Sequence, residues 1–356
     1  MRELLITEGL GSGGAERQIC GLARMFVKQG IENKLITYSR ANHFEPLVRE
    51  AGVDYEYHPE LLPRVTRVLR LLKILYKYKP TTIISYLPSV NITTCIARMF
   101  YRCNLIVSDR NVCTEINWKV KIQYLLYRFA QYVIPNSYTQ GKFIEHHFPS
   151  LKKKIYPIIN FVDSDRFTPQ FSDVLNEPVK IVTVARYTHA KNTLKFMEVV
   201  RMAKNLRLNV YFDWYGNKEH DTEYYAQVEA KYNEMDIADY MMLHTSCTNI
   251  EEVYRKSDVL CLPSLWEGYP NVIVEAMASG LPVICSNIYE NPYIIEDGVG
   301  GFLFNPEEPE DILRTIVRIE NMTLEARRRM GLHNRQLCLE RNSESAFVDA
   351  YIRLLV

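Results

Sequence analysis

Residues 266–284 read WEGYPNVIVEAMASGLPVI, and the member of this run that demands a reason is Glu275. From Val272 to Ala278 its neighbours are largely aliphatic, so the spacing predicts a buried helix. A buried carboxylate is costly unless it is paired or hydrogen-bonded. A second acid, Glu267, stands in the stretch just before the helix. Pro270 and Asn271 mark the helix start, Gly280 and Pro282 its end, and PVICSN continues as a strand. A loop, helix and strand in this order form one step of an alternating α/β chain.

That alternation runs through the sequence. RELLITE, NKLITYS, TTIISYL, NLIVSD and YVIPNS are candidate strands, separated by helical patterns near 15–29, 64–78, 90–101, 117–130 and 138–147. It restarts with VKIVTVAR, NVYFDWYG, YMMLHTS, DVLCLPS and PVICSN, with helices near 192–205, 222–235, 249–256, 271–279 and 309–320. Between the two sets, DSDRFTPQFSDVLNEPV is polar and marked by proline, and reads as a linker. The expected fold is α/β, two facing Rossmann-like doubly wound domains with ligands at the C-terminal strand ends and a site in the cleft between them. The expected limits are 1–168 and 169–335, with 336–356 as a C-terminal helix packing back on the first domain.

Composition supports this reading. The chain has 356 residues and is 47% apolar, enough for two cores. Its eight cysteines form no metal-ligand spacing and read as reduced core residues. No leader or membrane-spanning run is evident, so a cytoplasmic protein is expected. The net charge of +1 hides an asymmetry: residues 1–165 hold 23 Lys and Arg against 14 Asp and Glu, and the remainder 20 against 28. No acid occurs between Glu60 and Asp109, where Arg64, Arg67, Arg70, Lys73, Lys77, Lys79, Arg98 and Arg102 accumulate. The helix RVTRVLRLLKILYKY has one apolar and one basic face. It reads either as an outer helix or as a surface for anionic lipid. Nucleic acid is disfavoured because no recognisable binding module is present.

Three constellations carry chemistry. Gly11, Gly13 and Gly14 follow the first strand and open a helix, either as a tight turn or as a close approach to an anion. Arg186 ends the strand VKIVTVAR, and Lys191 follows just before the next helix. The two are surface charges or a diphosphate clamp. The helix start Gly268-Tyr269-Pro270-Asn271-Val272 offers N–H groups to phosphate oxygens, with Glu267 before it and Glu275 inside it, the latter a bidentate acceptor for vicinal hydroxyls. Asp163-Ser-Asp165 has the spacing of a metal-binding pair but lies in the linker approach. No metal or other cofactor is expected. His146, His147, His189, His220 and His244 have no ligand spacing.

PSLWEGYPNVIVEAMASGLPVI resembles the signature of family 4 glycosyltransferases, retaining enzymes with the GT-B fold and a Glu-x7-Glu element. GGAERQI is similar to their glycine loop, VARYTHAKN to their Arg and Lys pair, IPNSYTQ and NFVDSDRFTP to their approach to the linker, and IIEDGVGGFLF to the loop after the signature. The resemblance implies a hexose or N-acetylhexosamine transfer from a nucleotide sugar, UDP-linked, to a glycan or polyprenyl-linked acceptor of a bacterial surface polysaccharide. The first domain would bind the acceptor and the second the donor. It implies Arg186 and Lys191 on the diphosphate, Glu275 on the ribose, Glu267 on the transferred sugar, and Gly13 and Gly14 beside the sugar phosphate. Glu267, Arg186 and Lys191 form the catalytic set. Arg110 and Asn111 stand in VSDRNV, where many members carry an acceptor-side His. With Arg67, Arg70 and Lys73 they are assigned to the acceptor or to an anionic membrane surface, on the inner face of the cytoplasmic membrane. SNIYENPYII replaces a usual Gly-x-Pro-Glu, leaving Glu290, Asn291 or neither to take over a sugar contact, and WYGNKEH has no assigned role. The SDRN run resembles members that use N-acetylhexosamines. An epimerase on the same fold and a non-catalytic nucleotide-sugar-binding subunit are the alternatives.

Overall fold

A computed structural model describes residues 2–63, 65–110, 113, 115–170 and 177–355. Arg64, Asn111 and the middle of the polar linker stretch lie outside the described residues. The chain divides into two units, Met1–Phe161 with Glu344–Val356, and Val162–Ser343.

Unit 1 holds strands β1 (Arg2–Ile6), β2 (Glu32–Thr37), β3 (Asp54–Tyr57), β4 (Thr82–Tyr86), β5 (Asn104–Asp109) and β6 (Tyr132–Pro135). All pair in parallel, in the order β3-β2-β1-β4-β5-β6. Helices α1 (Gly14–Lys28), α2 (Glu45–Glu50), α3 (Arg67–Tyr78), α4 (Pro88–Arg98), α5 (Trp118–Leu126) and α6 (Tyr138–His147) connect them. Successive strand residues feed opposite cores, as a pleated strand requires. Leu5 and Ile84 pack with Ile19, Leu22 and Phe26 of α1, whereas Leu4 and Ile83 pack with Leu71, Leu75 and Val90 of α3 and α4.

Unit 2 repeats the design with β7 (Val179–Val184), β8 (Val210–Tyr215), β9 (Met241–His244), β10 (Val259–Leu262), β11 (Val283–Ser286) and β12 (Gly301–Phe304), all parallel, in the order β12-β11-β10-β7-β8-β9. Its helices are α7 (Thr193–Asn205), α8 (Thr222–Met235), α9 (Ile250–Arg255), α10 (Asn271–Ala278), α11 (Asn291–Ile294), α12 (Pro309–Glu320) and α13 (Leu324–Arg341). In each sheet the first strand is central and the order reverses beside it, between β1 and β4 and between β7 and β10. Ligands of doubly wound sheets lodge at such a switch point.

The unit boundary falls before the polar stretch expected as a linker. Val162 donates to the Asn342 carbonyl at 2.9 Å, Arg166 pairs with Glu251 at 2.7 Å, and buried Phe167 lies against Tyr254, so these residues join unit 2. The C-terminal segment is two helices. α13 packs on α10 within unit 2, where Gly331 lets the helix approach so closely that an added Cβ would sit 1.8 Å from the Gly280 carbonyl oxygen. The last helix, α14 (Glu344–Ile352), returns to unit 1 and inserts Phe347, Val348 and Tyr351 beside α1.

Two cations expected at the surface are interior. Arg67 is 7% exposed: its guanidinium lies over the Tyr38 ring at 4.4 Å and donates to the Leu61 and Leu62 carbonyls at 2.6 and 3.0 Å. Arg110 is 9% exposed and donates to Ser108 Oγ at 2.7 Å, Asn160 Oδ1 at 2.8 Å, and the hydroxyls of Tyr86 and Tyr351 at 2.8 Å each. Both close loops over aromatic rings, which leaves neither head group for an acceptor or a lipid. Lys73 is exposed on α3, and half-buried Arg70 donates to the Glu60 carbonyl at 2.5 Å. The cysteines follow expectation in part: Cys20, Cys95, Cys261, Cys285 and Cys338 lie in cores, where burial pushes Cys20 and Cys95 up to about 12, but Cys103 and Cys113 are only half-buried and Cys247 is exposed in a loop after β9.

Arg110→Leu strips the buried Asn160 side-chain Oδ1 and two phenols of their shared donor, so it is expected to cost on the order of 2–4 kcal/mol in urea unfolding while UDP affinity is retained. Unchanged stability would mean that the guanidinium carries no structural role.

Candidate functional site

In unit 2, the loops that leave β7 and β10 converge at the switch point. The backbone around Arg186 is fixed on both sides. Ala185 N donates to the Tyr215 carbonyl at 2.9 Å, and the Ala185 carbonyl accepts from Trp214 Nε1 at 2.9 Å. Tyr187 is fully buried, its hydroxyl reaching the carbonyls of Trp214 and His244 at 3.0 and 2.7 Å. With its neighbours turned inward, Arg186 is left exposed, NH1 3.0 Å from His220 Nε2. Gly216 belongs to this framework. A Cβ there would meet the Ala185 carbonyl oxygen at 2.2 Å, which explains the glycine in WYGN.

Residues His189–Lys191 form a 3-10 turn, and Asn192 takes a left-handed conformation (φ 63°) with its amide on the Pro306 carbonyl at 2.9 Å. The Leu265 N–H donates to the Ala190 carbonyl at 2.8 Å, binding the two loops together. This places Lys191 Nζ on Glu267 Oε1, an ion pair whose partners are both largely buried. Ser264, fully buried, donates its hydroxyl to the same carboxylate oxygen at 2.6 Å. Glu267 is therefore held by a cation and a hydroxyl on one oxygen.

The α10 helix begins at Asn271 after Pro270, with no side-chain cap, and Gly268 and Val272 are half-buried on either side of this turn. The Ile273 N–H turns back to the Pro270 carbonyl at 3.2 Å, and the helix dipole presents positive character at this end. Glu275 is 3% exposed and accepts from the Tyr254 hydroxyl of α9 at 3.1 Å. That bond accounts for a carboxylate in an aliphatic helix. Tyr269 is nearly buried, its hydroxyl accepting from Asn342 Nδ2 at 2.6 Å. Among the described residues, no group of three or more His, Cys, Asp or Glu is placed to hold a metal ion. Asp163 Oδ1 accepts instead from the Arg166 backbone at 3.0 Å.

With this geometry in place, comparison with known proteins is informative. A family model described as Glycosyltransferase Family 4 matches residues 12–166, and one described as Glycosyl transferases group 1 matches residues 165–337. The chain belongs to the family 4 glycosyltransferases. It is 26% identical, over 85% of its length and 84% of the relative's, to a Campylobacter jejuni GalNAc-alpha-(1->4)-GalNAc-alpha-(1->3)-diNAcBac-PP-undecaprenol alpha-1,4-N-acetyl-D-galactosaminyltransferase. Among solved structures it is similar to a Rickettsia africae glycosyltransferase (TM-score 0.87, 16% identity, 99% and 97% of the two chains). It is also similar to Anabaena HepE in complex with UDP (TM-score 0.86, 16% identity, 100% and 99%). The shared fold is GT-B.

In this glycosyltransferase, Lys191, Glu267 and the α10 start gather in unit 2, with Arg186 at the end of β7. Gly13 and Gly14 lie in unit 1. Gly13 precedes α1 without a side-chain cap, and a Cβ there would strike Glu16 Oε2 at 2.2 Å. Glu290 is buried, and the Asn291 amide donates to the Ser286 carbonyl at 3.0 Å. Sequence reasoning missed Ser264 and Tyr254. Ser264, in LPSLWEG, carries a weak signal, a hydroxyl three residues before an acid. Tyr254 carries none, because it meets Glu275 only in the folded chain, through a side chain on a different helix.

Tyr254→Phe leaves the buried Glu275 carboxylate one donor short and is expected to lower unit 2 stability by about 1.5–3 kcal/mol. Ser264→Ala, which leaves Lys191 on Glu267, should cost less. Urea denaturation of both variants gives the order, and the reverse order would show that Ser264 is the principal support.

Proposed function

We propose that this glycosyltransferase moves a hexose or N-acetylhexosamine from a UDP-sugar to a lipid-linked glycan in the building of a bacterial surface polysaccharide or lipopolysaccharide, with retention at the anomeric carbon and without a metal. The observation that carries the reading is the Lys191–Glu267–Ser264 cluster at the switch point, beside Arg186 and the α10 N-terminus. The substrate classes follow the Campylobacter relative, whose name gives an undecaprenol diphosphate-linked acceptor, and the Anabaena structure, which holds UDP. Among the described residues no helix is long and apolar enough to cross a membrane, and the reading places the enzyme at the inner face of the cytoplasmic membrane.

Arg186, Lys191 and the first amides of α10 take the diphosphate. As the bond from the anomeric carbon to the phosphate oxygen breaks, negative charge grows on the leaving group, and these fixed positive groups stabilise it. An ammonium carries three donors, so Lys191 can hold Glu267 with one and serve phosphate oxygens with the others. Glu267 is thereby oriented to accept hexose hydroxyls and to face the positive character that develops on the sugar ring. Glu275, held by Tyr254, accepts the ribose hydroxyls. The acceptor hydroxyl attacks the face that the phosphate vacates, its oxygen bonds to the anomeric carbon, and its proton passes to the departing phosphate oxygen.

The two carboxylates should separate in calorimetry. Glu275→Gln should weaken UDP itself by about 1.5–3 kcal/mol, the range for hydrogen bonds to a charged group. Glu267→Gln should leave UDP affinity intact or tighten it, since Lys191 loses its competing anion, and should lower turnover. Reversed effects would exchange the roles, and no effect in either would make the pair structural.

Radiolabelled UDP-sugars with an undecaprenol diphosphate-linked acceptor test the reaction, and isomerised donor or binding without transfer would overturn it. Turnover should persist in EDTA. Loss that Mn²⁺ restores would overturn metal independence, and an inverted anomeric signal in the product's NMR spectrum would overturn retention.

A further inference from the structure

Helices α3, α4 and α5 lie side by side over one face of the unit 1 sheet, their inner sides filling the core that contains Leu71, Val90 and Tyr124. Their outer sides are not those of ordinary solvent-facing helices. On α5 and the turn that follows it, Trp118, Ile122, Leu125 and Phe129 are exposed at helical spacing, Trp118 by 67%. Approaching and along α3, Leu62, Val65, Leu69 and Tyr76 form a second stripe, with Leu69 65% exposed. The Tyr76 hydroxyl donates to the Phe100 carbonyl at 2.9 Å, and Met99 and Phe100 at the end of α4 are exposed as well. A groove of about 650 Å³ runs along the α3 stripe, lined by Leu69, Leu72 and Tyr76 with Arg70 and Lys73 at its sides.

The charge around the stripes is mainly positive, with exposed Glu60 beside Arg70 as an exception. Residues 61–144 contain two acids, of which Asp109 is buried and Glu115 exposed. Against them stand Arg70, Lys73 and Lys77 on α3, Arg98 on α4, and Lys119 and Lys121 on α5, with the Lys119 ammonium 5.6 Å from the Trp118 ring centre. Aliphatic stripes contribute nothing to a nucleic-acid phosphate, and a purely electrostatic surface has no use for Leu69, Ile122 or Leu125. An anionic bilayer takes both components: apolar side chains enter the acyl boundary, indole and phenol rings sit at the head-group level, and the cations meet lipid phosphates.

We propose that the outer face of α3, α4 and α5 is a bilayer-insertion surface for anionic lipid, on which the α5 stripe enters the membrane and the surrounding lysines and arginines hold its plane. This rests on the membrane placement proposed above and names the residues that would make it, while vesicle binding, measured without donor or acceptor, can fail independently of the transfer reaction. The test uses the full chain with vesicles of phosphatidylcholine alone and of phosphatidylcholine with phosphatidylglycerol at 7:3. Co-sedimentation should favour the mixed vesicles, fall in 0.5 M NaCl without vanishing, and drop at least tenfold in Ile122→Ser/Leu125→Ser at low salt, where charge is intact. Lys119→Glu/Lys121→Glu should lose the preference for the anionic mixture. Brominated lipids should quench the fluorescence, and Trp118→Phe should remove most of that quenching. Near- and far-UV circular dichroism and a cooperative urea transition show that each variant is folded. The proposal is overturned if the apolar pair changes nothing while salt abolishes binding. It is equally overturned if the chain ignores vesicles and instead forms dimers, by light scattering, that the apolar pair disrupts.

Discussion

The backbone hydrogen bond from Leu265 to the Ala190 carbonyl joins two loops that leave neighbouring strands and turn to different connections. A doubly wound sheet supplies the crevice at a strand-order reversal, but not the alignment of the loops that rim it. Here one 2.8 Å bond fixes that alignment, and the Lys191–Glu267 pair follows from it. Such a pair in a partly buried place contributes modest net stability, because desolvation offsets much of the attraction. Its use is orientation: the carboxylate is fixed before any ligand arrives, so no ordering cost falls on the bound state. Ser264 from the β10 loop reinforces this, and Asn192 in its left-handed turn fixes where α7 begins.

Much of this was legible in the sequence because parallel strands buried on both faces read as short apolar runs. Ten of the strands stand out this way. The two that do not, β3 and β12, are four-residue edges. DYEY alternates toward solvent, and GFLF opens on a glycine whose Cβ would lie 1.7 Å from the Val283 carbonyl oxygen. α13 is hidden for a related reason. Its apolar residues keep little of the 3.6-residue period and Gly331 interrupts its middle, features that obscure a helical reading, yet the glycine is what admits the helix against Gly280. Close backbone packing is a tertiary fact, and residue patterns carry it poorly.

Charge was the misleading signal. Arg67 counted toward a basic surface because composition registers a cation without registering where it points, and Arg110 toward an acceptor site because its place in VSDRNV suggested one. An arginine is well suited to the opposite use, since its planar group stacks on a ring while its edges satisfy several oxygens. Both residues do this, over Tyr38 and Tyr86, at 4.4 and 4.6 Å. The glycine and carboxylate positions were more secure, because a backbone approach or a buried acid leaves fewer alternatives. Tyr254 had no local signature, since it is joined to Glu275 only by a hydrogen bond that the folded chain creates.

The chain leaves unit 1 at Phe161 and comes back at Glu344, and the returning helix supplies Phe347, Val348 and Tyr351 to a core otherwise built from the first part of the sequence. During synthesis the ribosome therefore completes all of unit 2 before it emits the side chains that close unit 1. For that interval α1 and Phe161 lack their cover, and Arg110 lacks the Tyr351 phenol. Unit 2, contiguous in sequence, can fold as it emerges. Unit 1 must wait, and the nascent protein carries an open apolar face through the translation of Val162–Ser343. The order of maturation thus runs against the order of the sequence: the second unit is finished first.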